Sequence, residues 1–448
     1  MTAATTTGDA QAAREVTFGE ALKFWLKLGF ISFGGPAGQI ALMHAELVER
    51  RRWISERRFL HALNYCMLLP GPEATQLAIY IGWLMHRTRG GIIAGLLFLL
   101  PSLALLIALS WIYMAYGNMP VVAGVMYGIK PAVVAIVLAA AWRIGTRTIK
   151  NGALLAIALA AFVAISVLEL PFPLIVLGAA AAGAVGARVW PSHFQIGGQH
   201  PDSRASYGIA LIDDDTPTPA HARFSWPHLV RIALFGCAFA AAAWLLIAVR
   251  FGAANALAQM AWFFSKAALL TFGGAYAVLP YVYQGGVEHF HWLSAPQMID
   301  GLALGETTPG PLIMIVAFVG FVGGWTHAVL GDASLLLAGV AGASVAAFFT
   351  FLPSFIFILA GGPLVERTRD DVRMTAPLTA ISAAVVGVIV SLAVFFGEHV
   401  FLARGQLDIA SLAIGAAACL ALFRYRTGTI GLIFACALAG LVLSYYNG

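Results

Sequence analysis

Lys27 to Pro72 reads KLGFISFGGPAGQIALMHAELVERRRWISERRFLHALNYCMLLPGP, and Lys266 to Pro311 reads KAALLTFGGAYAVLPYVYQGGVEHFHWLSAPQMIDGLALGETTPGP. Aligned without a gap at an offset of 239 residues, the two stretches share twelve identities in 46 positions. Phe33-Gly34-Gly35 falls on Phe272-Gly273-Gly274, and Pro70-Gly71-Pro72 falls on Pro309-Gly310-Pro311. Lys27, Val48-Glu49, Trp53, Ser55 and Leu63 also recur, at Lys266, Val287-Glu288, Trp292, Ser294 and Leu302. Apolar composition alone would scatter matches among Leu, Ala and Val. Matches gathered at Gly, Pro and Trp mark an internal duplication, and a duplication decides the fold before any single segment does.

The rest of the 448 residues is 60% hydrophobic and 10% charged, against roughly a quarter charged in an average soluble domain. Apolar runs of about 17–25 residues, the length that crosses a hydrocarbon core, recur along nearly the whole chain. The fold class is therefore an all-α polytopic membrane protein with about thirteen apolar segments. The net charge of +5 lies in short clusters between apolar runs, where it sets orientation. It forms no stripe suited to nucleic acid. Cys66, Cys237, Cys419 and Cys436 are far apart and lack C-x-x-C spacing, so they read as packing residues, and no metal or cofactor is expected. The polar segment 1–17 has no signal-peptide core.

The repeat boundaries follow. Residues 18–189 form the first repeat, 190–227 a polar linker with Asp213-Asp214-Asp215 and five prolines, 228–250 a linking helix, and 251–448 the second repeat. The linker composition predicts a flexible cytoplasmic segment. Basic residues flank the first two apolar segments on both sides: Arg14, Lys23 and Lys27, then Arg50 to Arg58, then Arg87 and Arg89. Simple spans would place alternate clusters on opposite faces. Re-entrant hairpins that turn back at the Gly/Pro breaks put the loop clusters on one face, with half-helices of about 12–14 residues, roughly 18–21 Å. Kinked spans with one tolerated basic loop are the alternative. The loop between the breaks carries five Arg in the first copy, and its counterpart from Glu288 to Gln297 carries no Lys or Arg. That asymmetry predicts repeats of inverted topology. Arg250 would then sit on the outer face, against the trend.

Breaks inside membrane segments persist where backbone is buried in protein or lines a watery cavity. Half-helices that start after a break aim free N–H groups inward, which suits an anion. Paired breaks in two repeats are the best sequence pointer to a transport site. The candidate binding residues are accordingly Gly34, Gly35, Pro70, Gly71 and Pro72 in one copy, with Gly273, Gly274, Pro309, Gly310 and Pro311 in the other. Nearby hydroxyls and amides (Ser32, Thr75, Thr271, Thr307, Thr308, Asn64, Gln39 and Gln76) either bind oxyanion oxygens or satisfy neighbouring backbone. Lys27 and Lys266 are the basic pair kept by the duplication. They would neutralise a dianion, or snorkel to their own interfaces. Glu73 and Glu306, the carboxylates nearest the Pro-Gly-Pro breaks, are candidates for proton coupling. His44 and His61, beside the first basic loop, read as surface residues. No phosphate-binding G-x-x-x-x-G-K-[ST], no H-E-x-x-H and no G-x-S-x-G occurs, so ATP-driven pumping and proteolysis have no visible machinery. Secondary transport remains.

Phe33-Gly34-Gly35-Pro36, Glu49-Arg50-Arg51-Arg52-Trp53-Ile54 and Leu69-Pro70-Gly71-Pro72 resemble the chromate ion transporter family. Phe272-Gly273-Gly274 and Thr308-Pro309-Gly310-Pro311 resemble the second copy in its long, two-domain members. The resemblance implies export of chromate across a bacterial inner (plasma) membrane, driven by the proton-motive force and giving chromate resistance. Sulfate, an isosteric dianion, is the expected competitor, and a sulfate transporter or exchanger is the alternative. No enzymatic activity is expected; a membrane reductase would need a flavin, haem or thiol centre. The resemblance leaves a homodimer open. Ala275 stands where the first copy has Pro36, so the two Gly-Gly breaks need not be equivalent.

Overall fold

The computed structural model describes residues 16–33, 35–117, 119–194, 210–272, 275–367, 376–403, 406–425 and 427–447. The first repeat runs α1 (Phe18–Ile31), α2 (Gly35–His44) prolonged by a π-helical turn (Ala45–Arg50), α3 (Glu56–Leu68), α4 (Glu73–Tyr116), α5 (Pro120–Thr148), α6 (Gly152–Ser166) and α7 (Phe172–Val189). The short α8 (Pro191–Phe194) and the linking α9 (Trp226–Phe251) follow. The second repeat comprises α10 (Ala256–Leu269), α11 (Leu279–Tyr283) with its own π turn (Gln284–His289), α12 (Ala295–Thr307), α13 (Ile315–Thr326), α14 (Leu335–Arg367), α15 (Ala376–Phe401), α16 (Ile409–Phe423) and α17 (Thr429–Asn447). Among the described residues, seven helices are long and apolar enough to cross a membrane. The protein is a multi-pass membrane protein.

The duplication persists down to single backbone angles. Ser55 and Ser294 cap α3 and α12 by accepting from the third amide of each helix, the usual way a serine satisfies an open helix start. Arg52 (φ 54°) and His291 (φ 52°) occupy the same left-handed turn, and the amides of Trp53 and Trp292 close it on Leu47 and Gly286.

The first two segments are hairpins. The Phe24 ring of α1 lies 4.9 Å from that of Trp53, and the Arg51 guanidinium sits 4.9 Å above Phe24. A continuous span would have carried Trp53 more than about 30 Å beyond Phe24 at the helical rise. In the second repeat, Phe263 meets Trp292 at 5.5 Å. The next hairpin closes inside α4, which folds back on itself at His86 (φ −132°) and Arg87 (φ 57°). Gly91 and Gly95 let the two arms touch: a Cβ on Gly91 would lie 2.9 Å from that of Trp83, and one on Gly95 2.7 Å from Ile79. In lipid, small residues are what bring helices this close. α13 and α14 repeat the motif as separate helices, Gly320 and Gly324 facing Gly342.

The repeats are inverted. From Arg87, α4 runs to Tyr116, and Tyr113 near that far end meets Phe318 at 5.4 Å and hydrogen-bonds Asp300 of α12. The arginine loop of the first repeat and the arginine-free loop of the second therefore lie at opposite ends. The terminal helices are exchanged: α6 and α7 pack on α15, while α16 and α17 pack on α5. Between the repeats, Ile212 pairs with Ile54, Asp214 accepts from Ser55, and His221 bonds the Trp83 carbonyl. The described part of the linker thus lies along the arginine loop.

Candidate functional site

Proline dictates the local shape of the breaks. A residue before proline is pushed to extended backbone, and Leu69 (ψ 146°) and Thr308 (ψ 147°) take that shape and end their helices. In Pro-Gly-Pro, the glycine owns the single N–H. Gly71 and Gly310 hold positive φ, 122° and 100°, and each sends that N–H into the opposite repeat. Gly71 donates to the Thr271 carbonyl at 2.8 Å, and Gly310 donates to the Ser32 carbonyl at 2.7 Å. Ser32 and Thr271 are themselves symmetry mates. Both are fully buried, and their hydroxyls donate to Leu28 and Ala267 one turn back, which frees their own carbonyls to face the other repeat. The four breaks meet in one reciprocal crossing, and the irregular backbone is shielded from lipid.

The backbone of this crossing is symmetric and its side chains are not. In the first repeat, the buried Gln39 amide donates to the Gly310 carbonyl, and Gln76 donates to Pro70 at 2.8 Å. Their counterparts are Val278 and Ile315. Thr75, buried in the first turn of α4, corresponds to Met314. Gln39 Oε1, Thr75 Oγ1, Gln76 Oε1 and Ser102 Oγ are all buried and have no hydrogen-bond partner among the described residues. Buried polar groups are normally paired. The Thr75 and Ser102 hydroxyls, at the N-terminus of a half-helix, offer a guest two free donors and a positive dipole end, while the two unpaired amide oxygens can only accept.

Other sequence candidates are placed as follows. Gly35 opens α2 at φ 68°; Gly34, Gly273 and Gly274 lie outside the described residues. Pro72 caps α4 and Pro311 precedes the turn Leu312–Met314, while Pro70 and Pro309 sit within the crossing. Thr307 and Thr308 donate to Leu304 and Gly305, 2.8 and 3.0 Å away, the backbone-satisfying role. Asn64 is half-buried on α3. Glu73 and Glu306 are not symmetry mates: Glu73 follows its break in α4, and Glu306 precedes its break in α12, where its carboxylate accepts from Tyr276. His44 bonds Glu49 at 3.1 Å and also Glu56, and His61 bonds the Val365 carbonyl at 2.9 Å. Both histidines tie helices together.

Lys27 and Lys266 are not brought to the crossing. Lys27 is exposed among Leu26 and Phe30 on the outer face of α1, and Lys266 is exposed over the Trp262 ring at 5.6 Å. Of the two readings the sequence leaves open, this placement matches snorkelling, in which each stem covers its own apolar surface. Lys27→Ala and Lys266→Ala are expected to leave flux within about twofold of wild type, since exposed substitutions cost little. A loss of transport at normal expression in membrane vesicles would return them to the site.

Ser102 and Ser354 went unrecognised in the sequence. They press against Gly310 and Gly71, where an added Cβ would meet the Ser102 Oγ at 2.8 Å and the Ser354 Oγ at 2.6 Å. The signal was there: Leu100-Pro101-Ser102 and Leu352-Pro353-Ser354 are a second repeated motif, at an offset of 252 instead of 239.

Inverted repeats whose broken helices cross at a buried polar cluster define the carrier class of membrane proteins. The chain belongs to the chromate transporter family, whose sequence profile matches residues 19–184 and 258–441, one match per repeat. Similar proteins include the chromate transport protein of Cupriavidus metallidurans, 29% identical over 98% of this chain and 96% of the relative. That of Pseudomonas aeruginosa is 32% identical over 82% and 77%, and the probable chromate transport protein of Synechococcus elongatus is 28% identical over 84% of each. No solved structure matches the chain.

Proposed function

We propose that this chain is a secondary active transporter that exports chromate across the bacterial plasma membrane, driven by the proton-motive force and giving chromate resistance. The observation that carries the reading is the crossing of the four breaks with its unpaired buried Thr75 and Ser102 hydroxyls at a half-helix N-terminus. The names of the relatives supply the anion. A tetrahedral dianion presents four oxygens to such donors, and the positive end of the α4 half-helix supports its charge. Because the crossing contributes neutral donors, release does not require breaking an ion pair. Donors of this kind read shape and charge, so sulfate competes.

Radiolabelled chromate flux in everted inner-membrane vesicles tests this. Energised vesicles accumulate chromate, uncoupler abolishes the accumulation, and excess sulfate reduces it. Sulfate flux without chromate flux would overturn the substrate. Glu306, held by the Tyr276 hydroxyl beside the crossing, is the carboxylate that carries the proton in this reading. Glu306→Gln removes the dependence of flux on the pH gradient while leaving the response to membrane potential, and an unchanged pH profile would exclude that role.

A further inference from the structure

At the end of the molecule opposite the arginine loop, which the charge pattern makes the outer one, a second buried carboxylate is held by the opposite repeat. Asp300 of α12 is 4% exposed. The Lys130 ammonium of α5 lies 3.3 Å from it, and the Tyr113 hydroxyl of α4 donates to it at 2.8 Å. The cluster closes the seam between the second repeat's hairpin and the first repeat's long helices, close to the arginine-free loop. A buried ion pair adds little net stability, yet removing one charge leaves the other stranded. In a membrane segment, such a pair marks a functional position by default. The symmetry mate of Asp300 is His61, so the two ends of the molecule are latched by different chemistry.

The surroundings contain few other titratable groups. α13 has none, the Glu398 and His399 side chains of α15 are exposed, and Tyr445 and Tyr446 of α17 are exposed. Cys436 of α17 is buried against α5. On α12 itself the next is Glu306, six residues deeper, about 9 Å of helix rise. One turn before Lys130 on α5, Tyr127 donates to Asp408 at the start of α16, at 2.7 and 2.9 Å; Lys130 and Tyr113 are the groups that touch Asp300 itself.

We infer that Asp300, Lys130 and Tyr113 form a proton-operated outer latch. A proton arriving from outside binds the Asp300 carboxylate and gives a neutral acid. The Lys130 ammonium then loses its counter-ion, and the α5–α12 seam opens outward. The same proton is then one step nearer Glu306, so the latch rests on the proton-driven reading above and adds its point of entry.

The test carries no substrate, so a wrong anion cannot mask it. In a chain with its four cysteines replaced, Ala303→Cys puts a thiol on the buried face of α12, one turn from Asp300. Its labelling by a polar maleimide is followed in purified protein at roughly pH 5.5 and pH 8, and the charge-balanced double variant below controls for the effect of a lost carboxylate on the thiol itself. Asp300→Asn keeps a hydrogen-bonding partner for Tyr113 but cannot hold Lys130. It is expected to label faster than the parent by about fivefold or more at the higher pH, with the gap narrowing at the lower as the parent carboxylate takes up its proton. A second variant, Asp300→Asn with Lys130→Gln, removes both charges and guards against misfolding; it is expected to follow Asp300→Asn. Equal labelling of parent and both variants at both pH values would overturn the latch.

Discussion

Gly310→Ala is expected to abolish transport and to lower the yield of folded protein. Two independent costs fall on it. An L-residue held at φ 100° costs roughly 1–2 kcal/mol. The new Cβ would also lie 2.5 Å from that of Ser102, and overpacking of this sort costs about 1–3 kcal/mol more. Relief requires the break to withdraw, which pulls the Gly310 N–H off Ser32. The two costs separate experimentally. Gly252 and Gly331 have φ of 95° and 93° with nothing near the missing Cβ, so alanine there pays the backbone cost alone and leaves flux measurable. Ser102→Gly in the Gly310→Ala background removes the clash and restores part of the folded yield, read by gel filtration in detergent. Full activity of Gly310→Ala would mean that the crossing is pliable and does not fix the site.

The second large effect is expected at Gln39. Its amide is the side chain that ties the first repeat to the Gly310 carbonyl, with the Ser32 carbonyl 3.5 Å away. Gln39→Leu keeps the volume and removes the donor. Stranding a buried carbonyl costs about 1–3 kcal/mol, so flux should fall by roughly one to two orders of magnitude even where folded protein survives. Val278→Ala, at the symmetry-related apolar position, is the control and should fall far less, since it removes two methyl groups and no hydrogen bond. Equal losses at both positions would show that packing, not the amide, governs the crossing.

These residues also show what the sequence could and could not disclose. Gly and Pro identities gave the breaks and their pairing, because backbone irregularity in lipid leaves so few options. The arginine clusters gave the hairpins and the inversion for a different reason, since basic loops gather on one face of the membrane. What sequence left open was direction. Lys27 and Lys266 obey the duplication as faithfully as the glycines, yet they point outward, and facing is set by which side of α1 and α10 packs on α4 and α14. Ser102 and Ser354 escaped because the loop between hairpins differs in length between copies, shifting the register of everything after it. The bond from Gly71 to Thr271 is 200 residues long in sequence, and no local pattern encodes it.

The exchange of terminal helices bears on how the chain is made. α6 and α7 are complete by Val189, but α15, the helix they pack on, does not begin until Ala376. At ordinary synthesis rates that interval is on the order of ten to forty seconds. For that time the first half must sit in the bilayer with its small-residue faces against lipid. The insertion machinery, or lipid itself, has to hold them apart from wrong neighbours until the second half arrives. The carrier is assembled as a late docking of two waiting halves, and a truncation after the first repeat would leave a partner-seeking fragment instead of a smaller transporter.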